Sequence, residues 1–355
     1  MPVASNQLSV VGVQGALLID KPAGPTSHDV VAFVRRTLKT PRVGHTGTLD
    51  PLATGLLVVL VGSATRLAQF LAADEKQYIA DVRLGIATPT YDAASLSEVR
   101  GAESGVRGPS DREIAEVLDR FRGTFKQVPP PYSAKKVASV PAYEKARKNQ
   151  AVELTPVDVT VRELEIITHH THHALRITDH APRTTDPGER DATLLRLRVA
   201  ASAGFYVRSL AHDIGQALGC GAHLEALRRT RVGRFRVEDG LTLDRVESEG
   251  AGHLVAPSDL LGHLPAVVLT AEGVVRASHG NALGIRDVVG SDPGLGAQDR
   301  DSASSATRPI GGGIRDVVGS DPGITRVMLL DGDGRLVAVA HARPGRVLQP
   351  IVVLR

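Results

Sequence analysis

The chain has 355 residues, of which 42% are hydrophobic, so it can form a large domain together with a small one and is not disordered throughout. It contains six Phe, five Tyr and no Trp, which excludes a broad aromatic platform for bases, and a single Cys, which excludes disulfide frameworks, four-cysteine zinc sites and iron–sulfur clusters. The net charge of +3 conceals local excesses of positive charge that suit a polyanion, although any one of them is equally typical of a solvated helix face.

Strand and helix patterns are mixed along the first two thirds of the chain, which predicts an α+β fold. The predicted elements, in chain order, are a strand at 16–20, a helix behind Thr26 or Ser27, strands at 56–61 and 78–84, a helix behind the capping box of Ser110 and Glu113, paired strands at 159–167 and 193–201, and a helix at 205–218. The apolar face of the last helix leaves Arg208 and His212, one turn apart, free to point elsewhere.

Two segments look like insertions. Residues 169–191 separate the paired strands and hold five of the thirteen His. The sequence GIRDVVGSDPG occurs at residues 284–294 and again, identically, at 313–323, which indicates a local duplication in a loop rather than a solenoid. We expect the duplicated segment, at about 284–323, to be an exposed, disordered loop.

The remainder of the C-terminal part predicts a small all-β domain. Its short apolar strands are joined by tight turns and lie at 327–330, 336–340 and 350–354. We therefore predict one domain at residues 1–262 and a second at 263–355, with the two insertions at about 169–191 and 284–323. Residues 1–19 lack the basic start of a signal peptide, and the apolar run at 55–62 is too short to span a bilayer, so we expect a cytoplasmic protein.

The most unusual segment is GHTGTLDPLATG at residues 44–55. Its Gly, Pro and Thr predict a tight, hydrogen-bonded loop that presents Asp50 beside His45. A His/Asp pair is compatible with acid–base chemistry, but Asp-Pro is also a common turn starter, so the residues alone leave a catalytic and a structural Asp50 both open. A phosphate-binding loop is excluded, because no Gly-Lys-Ser/Thr ends the segment and no helix is predicted after it.

This segment resembles the signature motif of the bacterial tRNA pseudouridine synthase B family, which isomerises the T-loop uridine 55 of tRNA. Other motifs similar to those of the family occur in its order: KPAGPTS at 21–27, KQYIA at 76–80, PPPYSAKK at 129–136, GFYVRSL at 204–210, and GCGAHL with LRRT at 219–224 and 227–230. The resemblance covers residues 16–235. It implies a pseudouridine-synthase fold, with a mixed, mainly antiparallel central sheet flanked by helices, and a small C-terminal PUA-like RNA-binding β domain.

The resemblance also implies roles for individual residues. Asp50 is matched to the carboxylate that attacks C1′ or removes a proton beside it, Arg208 to the arginine that keeps Asp50 ionised, and Tyr78 to a tyrosine that either removes the C5 proton or only stacks on the base. The implied substrate-binding residues are Lys21, His45, Tyr206, Leu227 and Arg228. Isomerisation changes no oxidation state, so we expect no cofactor and no metal.

Base flipping explains several of these matches. His45 would take the stacking position that the flipped base vacates, Leu227 would form an apolar wall behind that base, and Lys21 would support the pocket. On the residues alone, Leu227 is as well explained by a helix core and Lys21 by an exposed turn. Cys220 is interpreted as a small buried residue, because nothing near it marks an activated thiolate.

The implied partner is the T-arm stem-loop of tRNA, bound by a monomer with no obligatory protein partner and no membrane. Basic residues at 120–148 and 228–236 would face the T-arm phosphates and fix register rather than base choice. A tRNA-folding chaperone that binds the T-arm with or without catalysis is the main alternative, and a base-excising glycosylase is a second. The His at 169–173 could bind a metal, but no carboxylate or Cys completes a ligand set, so a tolerated surface insertion is favoured.

Overall fold

The computed structural model describes residues 13–98, 108–132, 136–137, 140–141, 154–172, 192–289, 326–343, 345 and 347–354. The strands are Gly15–Lys21 (β1), Val43–Thr46 (β2), Thr54–Val61 (β3), Lys76–Leu84 (β4), Gly123–Gln127 (β5), Lys136–Val137 (β6), Val140–Pro141 (β7), Val157–His172 (β8), Ala192–Ala201 (β9), Ala222–Val232 (β10), Phe235–Arg236 (β11), Ala266–Val268 (β12), Arg326–Leu330 (β13), Leu336–Arg343 (β14) and Val347–Val353 (β15). The α-helices are Ser27–Thr37 (α1), Ala68–Leu71 (α2), Asp111–Asp119 (α3), Val207–Ala217 (α4), Leu243–Glu249 (α5), Pro257–Leu260 (α6) and Ala271–Ser278 (α7).

A large mixed sheet organises the first part of the chain. Among the described residues it has nine strands, with the main order β1-β3-β10-β4-β9-β8-β5, while β2 pairs with β3 and β11 with β10. All of its pairings are antiparallel except that of β10 with the start of β3. The strand and helix predictions are thereby confirmed, as is the predicted fold class of a mainly antiparallel mixed sheet flanked by helices.

The strand β3 changes partner along its length. Its first residues, Thr54 and Gly55, pair in parallel with Arg228 and Arg229 of β10, whereas its last four residues pair with β2 on the same side. The signature loop connects β2 to β3 and therefore emerges at the fork between β2 and β10. His45 lies on β2 itself, so the loop proper begins only at residue 47.

Local sequence signals account for the helices that cover one face of this sheet. Thr26 caps α1 and forms a capping box with Asp29, and Ser110 does the same for α3 with Glu113, as predicted. Apolar residues of α1, α3, α4 and α5 pack on the face of the sheet that carries Leu17, Ile19, Leu57 and Val59. Within the described residues, no helix is long and apolar enough to cross a membrane.

The opposite face of β1 and β3 is covered by the small sheet, which has the order β12-β13-β14-β15. Alternate residues of one strand point to opposite faces, so neighbours of Leu17 and Leu57 supply this second core. The shared core consists of Ala16, Leu18, Leu56, Val58, Leu60, Ala64, Leu67, Phe70 and Leu71, together with Met328, Leu330, Leu336, Val339 and Val352 of the small sheet and residues between the two sheets. The larger domain and the smaller domain are thus joined by a common apolar core.

Polar contacts reinforce this junction. The guanidinium of Arg66 donates to the carbonyl oxygen of Val353 at 2.6 Å, and that of Arg326 lies 5.3 Å from the centre of the Phe70 ring. The smaller domain has a second core of its own, between its sheet and α7, built around Leu269, Leu329 and Ala340.

The two predicted insertions begin later than expected. The strand β8 continues to His172 in register with β9, because the backbone pairing persists beyond the apolar stretch, and residues 173–191 lie outside the described part. The first six residues of the duplicated segment, 284–289, are not an exposed loop. Val288 is buried and bridges Leu269, while the carboxylate of Asp287 accepts from the backbone N–H of Gly284 and pairs with Arg276. The second copy lies outside the described residues.

Candidate active site

A cavity of about 390 Å³ opens where the signature loop, β4, β10 and the start of α4 meet. It is lined by residues 47–50, Ala72, Lys76, Tyr78, Ser202, residues 204–208, Leu227 and Arg229. Five of the predicted site residues therefore share one cavity: Asp50, Tyr78, Tyr206, Arg208 and Leu227. Three others, Lys21, His45 and Arg228, do not line it.

Asp50 and Arg208 form a two-point ion pair within this cavity. The Nε of Arg208 lies 2.9 Å from one carboxylate oxygen of Asp50, and its Nη2 donates to the other at 3.2 Å. Burial raises the pKa of Asp50, the Arg208 charge opposes that effect, and the nearby Asp92 adds to it. The guanidinium therefore favours the ionised carboxylate in a place where burial alone would favour the protonated acid.

Arg208 itself is held from several directions. Its guanidinium donates to the carbonyl oxygens of Thr90 at 3.2 Å and Tyr132 at 3.0 Å, and lies 3.6 Å from the carboxylate of Asp92. Asp92 is buried and accepts from the Thr90 hydroxyl at 2.6 Å. The side chain that reaches Asp50 is consequently fixed by two separate loops.

The backbone leading into α4 is fixed by Gln127 at the end of β5. The side-chain amide of this buried residue donates to the carbonyl oxygen of Tyr206 at 3.1 Å, and its carbonyl oxygen accepts from the Tyr206 N–H at 2.9 Å. Ser209 adds a hydrogen bond to the Val128 carbonyl oxygen at 2.7 Å. Because α4 begins at Val207, these bonds set the position from which Arg208 projects.

The apolar walls come from two paired strands. Leu227 lies on β10 opposite Ala80, and Tyr78 lies on β4 opposite Arg229. Leu227 therefore belongs to a strand, which removes the helix-core interpretation left open by the sequence. The buried guanidinium of Arg229 donates to the carbonyl oxygens of Leu56 at 2.7 Å and Gly47 at 3.0 Å and is hydrogen-bonded to the Tyr78 hydroxyl.

Two glycines allow β3 and the loop to approach β10 this closely. Gly55 has a φ of +98°, and a Cβ there would lie 2.2 Å from the carbonyl oxygen of Arg229. Gly47 has a φ of +77°, and a Cβ there would be 3.4 Å from Nη1 of Arg229. A side chain at Gly55 would separate the two strands at the base of the cavity.

Lys21 lies beneath the signature loop. Its Nζ donates to the carbonyl oxygens of Pro22 and Pro25 at 2.8 Å and reaches that of Pro51 at 3.5 Å, so the exposed-turn interpretation is wrong for this buried side chain. Burial lowers its pKa to about 8, while the charge of Asp50 acts in the opposite direction. The Ser27 hydroxyl exchanges two hydrogen bonds with the backbone of Leu49, and together these contacts hold the loop that presents Asp50.

His45 and Arg228 stand at the margin of the site. The His45 ring is half-buried, meets His28 edge to face at 5.9 Å, and has a pKa lowered chiefly by burial. Its Nδ1 has no hydrogen-bond partner among the described residues. Arg228 forms a two-point ion pair with Asp20, with N–O distances of 3.0 and 2.8 Å, on the partly exposed side of β10.

Several residues of the site escaped the sequence analysis. Asp92, Thr90 and Gln127 carry no motif that distinguishes them from ordinary loop and strand-end polar residues, and only the fold brings them to Arg208 and Tyr206. The one available signal was the position of Gln127, directly before the proline-rich element at 129–136. His212, predicted to point away from the helix core, stacks on Tyr91 with ring centres 3.8 Å apart.

Comparisons with known proteins agree with this arrangement. Residues 35–207 match the family described as TruB family pseudouridylate synthase (N terminal domain), and residues 208–273 match the tRNA pseudouridylate synthase B C-terminal domain. A tRNA pseudouridine synthase B from Solibacter usitatus is 46% identical over 67% of this chain and 73% of its own length. Another from Thermobifida fusca is 40% identical over 96% of this chain and 98% of its own length.

Solved structures support the fold. A protein chain from an H/ACA RNP bound to a substrate RNA containing 2′-deoxyuridine superposes with a TM-score of 0.59 at 23% identity, covering 96% of this chain and 85% of that one. The archaeal box H/ACA sRNP Nop10-Cbf5 complex gives the same TM-score at 24% identity. The sequence relatives establish more than the fold, because they combine at least 40% identity with most of both chains. The chain therefore belongs to the TruB family of pseudouridylate synthases, and the family resemblance seen in its motifs is confirmed.

Proposed function

We propose that this chain isomerises uridine 55 in the T-loop of tRNA to pseudouridine. The observation that carries the proposal is the two-point ion pair of Asp50 and Arg208 at the wall of a cavity that Tyr78 and Leu227 also line. The names of the curated relatives, tRNA pseudouridine synthase B, support the same reaction. A cavity of about 390 Å³ suits one nucleoside rather than a stem, so the uridine enters it flipped out of the RNA.

Asp50 acts on the sugar of the flipped uridine. Its ionised carboxylate either bonds to C1′ or removes a proton beside C1′, and in both cases the C1′–N1 bond breaks with its electron pair on the base. The base then turns, C5 bonds to C1′, the C5 proton leaves and N1 is protonated, so atoms and charge balance. Arg208 keeps Asp50 ionised before the first step. Tyr78 lines the cavity and is the candidate for receiving the C5 proton or stacking on the base.

The remaining predicted residues serve substrate binding in this proposal. Lys21 supports the signature loop from below, and Tyr206 and Leu227 contact the flipped nucleoside. His45 takes the place that the base leaves, and Arg228 contacts backbone phosphates from the partly exposed side of β10. The half-buried ring of His45 with its free Nδ1 suits such an insertion.

At the level of the whole chain, residues 1–262 form the catalytic domain and residues 263–355 a PUA-like RNA-binding domain. The substrate is the T-arm stem-loop, and the enzyme acts as a monomer without an obligatory protein partner. The TruB-type relatives that match along most of both chains support this single-chain mode of action. A cytoplasmic location follows from the proposed tRNA substrate.

The test uses a T-arm stem-loop transcript that carries tritium at C5 of the target uridine. We expect the wild type to release tritium, because C5 loses its proton, and Asp50→Asn to lose at least about 10³-fold in rate. Asp158→Asn is the matched control, because the exposed Asp158 carboxylate pairs only with the exposed Lys126 at 3.4 Å.

Two outcomes would contradict the proposal. Release of free uracil would identify a glycosylase, which cleaves the same bond but does not rejoin the base. A wild type that produces no pseudouridine while both it and Asp50→Asn still assist tRNA folding would identify a chaperone alone. Tritium release by Asp50→Asn at the wild-type rate would remove Asp50 from the chemistry.

A further inference from the structure

Two buried cations line the same cavity as Asp50. Lys76 lies on β4 with 7% of its surface exposed, and Arg229 lies on β10 with 1% exposed. They flank Gly47, since a Cβ there would be 3.7 Å from Cε of Lys76 and 3.4 Å from Nη1 of Arg229. Arg229 is directly opposite Tyr78 in the sheet and hydrogen-bonded to its hydroxyl. The two positive charges therefore stand together on the wall that carries Tyr78.

Neutral groups surround both cations. The Nζ of Lys76 donates to the carbonyl oxygens of Ala72 at 2.7 Å and Asp74 at 2.5 Å, and Arg229 donates to those of Leu56 and Gly47. In the described part of the chain, no carboxylate lies within 4 Å of either charged group. Arg208, in contrast, is paired with the carboxylates of Asp50 and Asp92. One side of the cavity is thus neutralised, and the other carries an excess of positive charge.

This excess is energetically unfavourable in the resting protein. Burial lowers the pKa of Lys76 to about 8, with Arg229 acting in the same direction and Asp74 against it. Burial also lowers the pKa of Arg229. Fixed charges of this kind are effective when negative charge develops beside them during a reaction, because no reorganisation is then required.

We propose that Lys76 and Arg229 stabilise the negative charge that develops on the uracil ring while the base is detached from the sugar. This inference rests on the function proposed above. When the C1′–N1 bond breaks, its electron pair leaves with the base as an anion, whose charge spreads over N1, O2 and O4. When C5 bonds to C1′, that electron pair forms the new carbon–carbon bond, and the ring is neutral again.

The timing makes this interaction catalytic in effect. Uridine and pseudouridine are both neutral at the base, so the two cations interact strongly with the detached anion and weakly with substrate and product. Asp50 and Arg208 attend to the sugar side of the breaking bond, whereas Lys76 and Arg229 attend to the base side. The division matches the distribution of charge in the cavity.

The test compares target nucleosides that differ in leaving ability. T-arm stem-loops carry either uridine or 5-fluorouridine at the target position, and single-turnover loss of that nucleoside is followed in nuclease digests. We expect Lys76→Met to lose roughly 10²-fold with uridine, as for loss of one charge-stabilising donor. With 5-fluorouridine the loss is expected to be at least several-fold smaller, because fluorine already stabilises the anion. Arg112→Met, which removes a cation that is 88% exposed on α3, serves as the matched control.

Equal losses of Lys76→Met on the two substrates would overturn the inference, because a purely structural defect does not distinguish leaving groups. A wild type that converts neither substrate would instead refute the proposed function, so the two failures are distinguishable. Lys76→Arg is expected to restore most of the rate with uridine, since it keeps the charge.

The pH dependence gives a second readout. Lys76 is charged below a pKa of about 8, so the single-turnover rate is expected to fall as the pH rises through that value. The groups facing Lys76 are Asp74 on its own turn, Arg229 on β10 and Asp50 across the cavity. Lys76→Arg is expected to abolish the fall. Lys21→Arg is expected to keep it, whatever its absolute rate, because Lys21 has a similar pKa but does not line the cavity. The reverse pattern would contradict the inference.

Discussion

The shared core between the two domains predicts that they unfold together, and Met328→Ala tests this. Met328 is fully buried on β13 and faces the core that includes Leu56 and Phe70, whereas its neighbour Leu329 faces the separate core of the smaller domain. Truncation of a buried Met to Ala removes apolar contacts and leaves a cavity, at a cost of about 2–5 kcal/mol. Most of that loss falls on the junction between the domains.

The aromatic residues provide a reporter for the larger domain alone. All five Tyr lie at or before Tyr206, and residues 236–355 contain no aromatic residue. For a destabilisation of about 3 kcal/mol and a sensitivity of roughly 2 °C per kcal/mol, we expect the Tyr fluorescence melting midpoint to fall by about 6 °C. Far-UV circular dichroism, which reports on both domains, is expected to fall by the same amount.

An unchanged Tyr melting midpoint, with a lower midpoint by circular dichroism only, would refute this reasoning and show that the smaller domain unfolds independently. Val275→Ala is the control, because that side chain is 59% exposed on α7 and its truncation removes little buried surface.

Three further predictions concern the site and the duplication. Gln127→Leu leaves the Tyr206 backbone unpaired and is expected to lower thermal stability, with the midpoint equivalent of about 1–3 kcal/mol, and to lower kcat; unchanged values of both would contradict the proposed brace. Asp92→Asn is expected to lower kcat about tenfold with little change in KM, as measured by tritium release, because it weakens the hold on Arg208 rather than contacting substrate. Deletion of residues 284–312 leaves one intact copy of the repeat after Leu283 and is expected to keep the wild-type melting midpoint, whereas deletion of 284–323 removes both copies and is expected to lower it; equal midpoints would show that the repeat is dispensable.

Features with a strong local signal were predictable from the sequence. The continuous apolar run of β3 reflects burial on both faces, with Leu57 in one core and Leu56 in the other. The capping boxes at Thr26 and Ser110 fixed the starts of two helices, because both partners of each box are three residues apart in the chain. The motifs around Asp50, Tyr78 and Arg208 led to residues that share one cavity.

Features that depend on long-range pairing were not predictable. Leu227 has no local pattern that distinguishes a strand from a helix, and its conformation is set by β4 and β3 on either side. The first repeat copy looked like part of a flexible duplication, but Val288 and Asp287 find partners on β12 and α7 that are absent from any local window. Asp92 reaches Arg208 across 116 positions of sequence, 92 to 208, through the fold alone.

The close contact at Gly55 determines which parts of the site can adapt to RNA. The carbonyl oxygen of Leu227 accepts from the Thr54 hydroxyl, and the Gly55 backbone packs directly on Arg229, so the signature loop and β10 behave as one rigid body. The opposite wall is attached differently, through the Gln127 side chain and the guanidinium of Arg208. Opening the cavity to admit a nucleoside therefore has to occur by movement of this second wall, and its return is what restores the ion pair with Asp50.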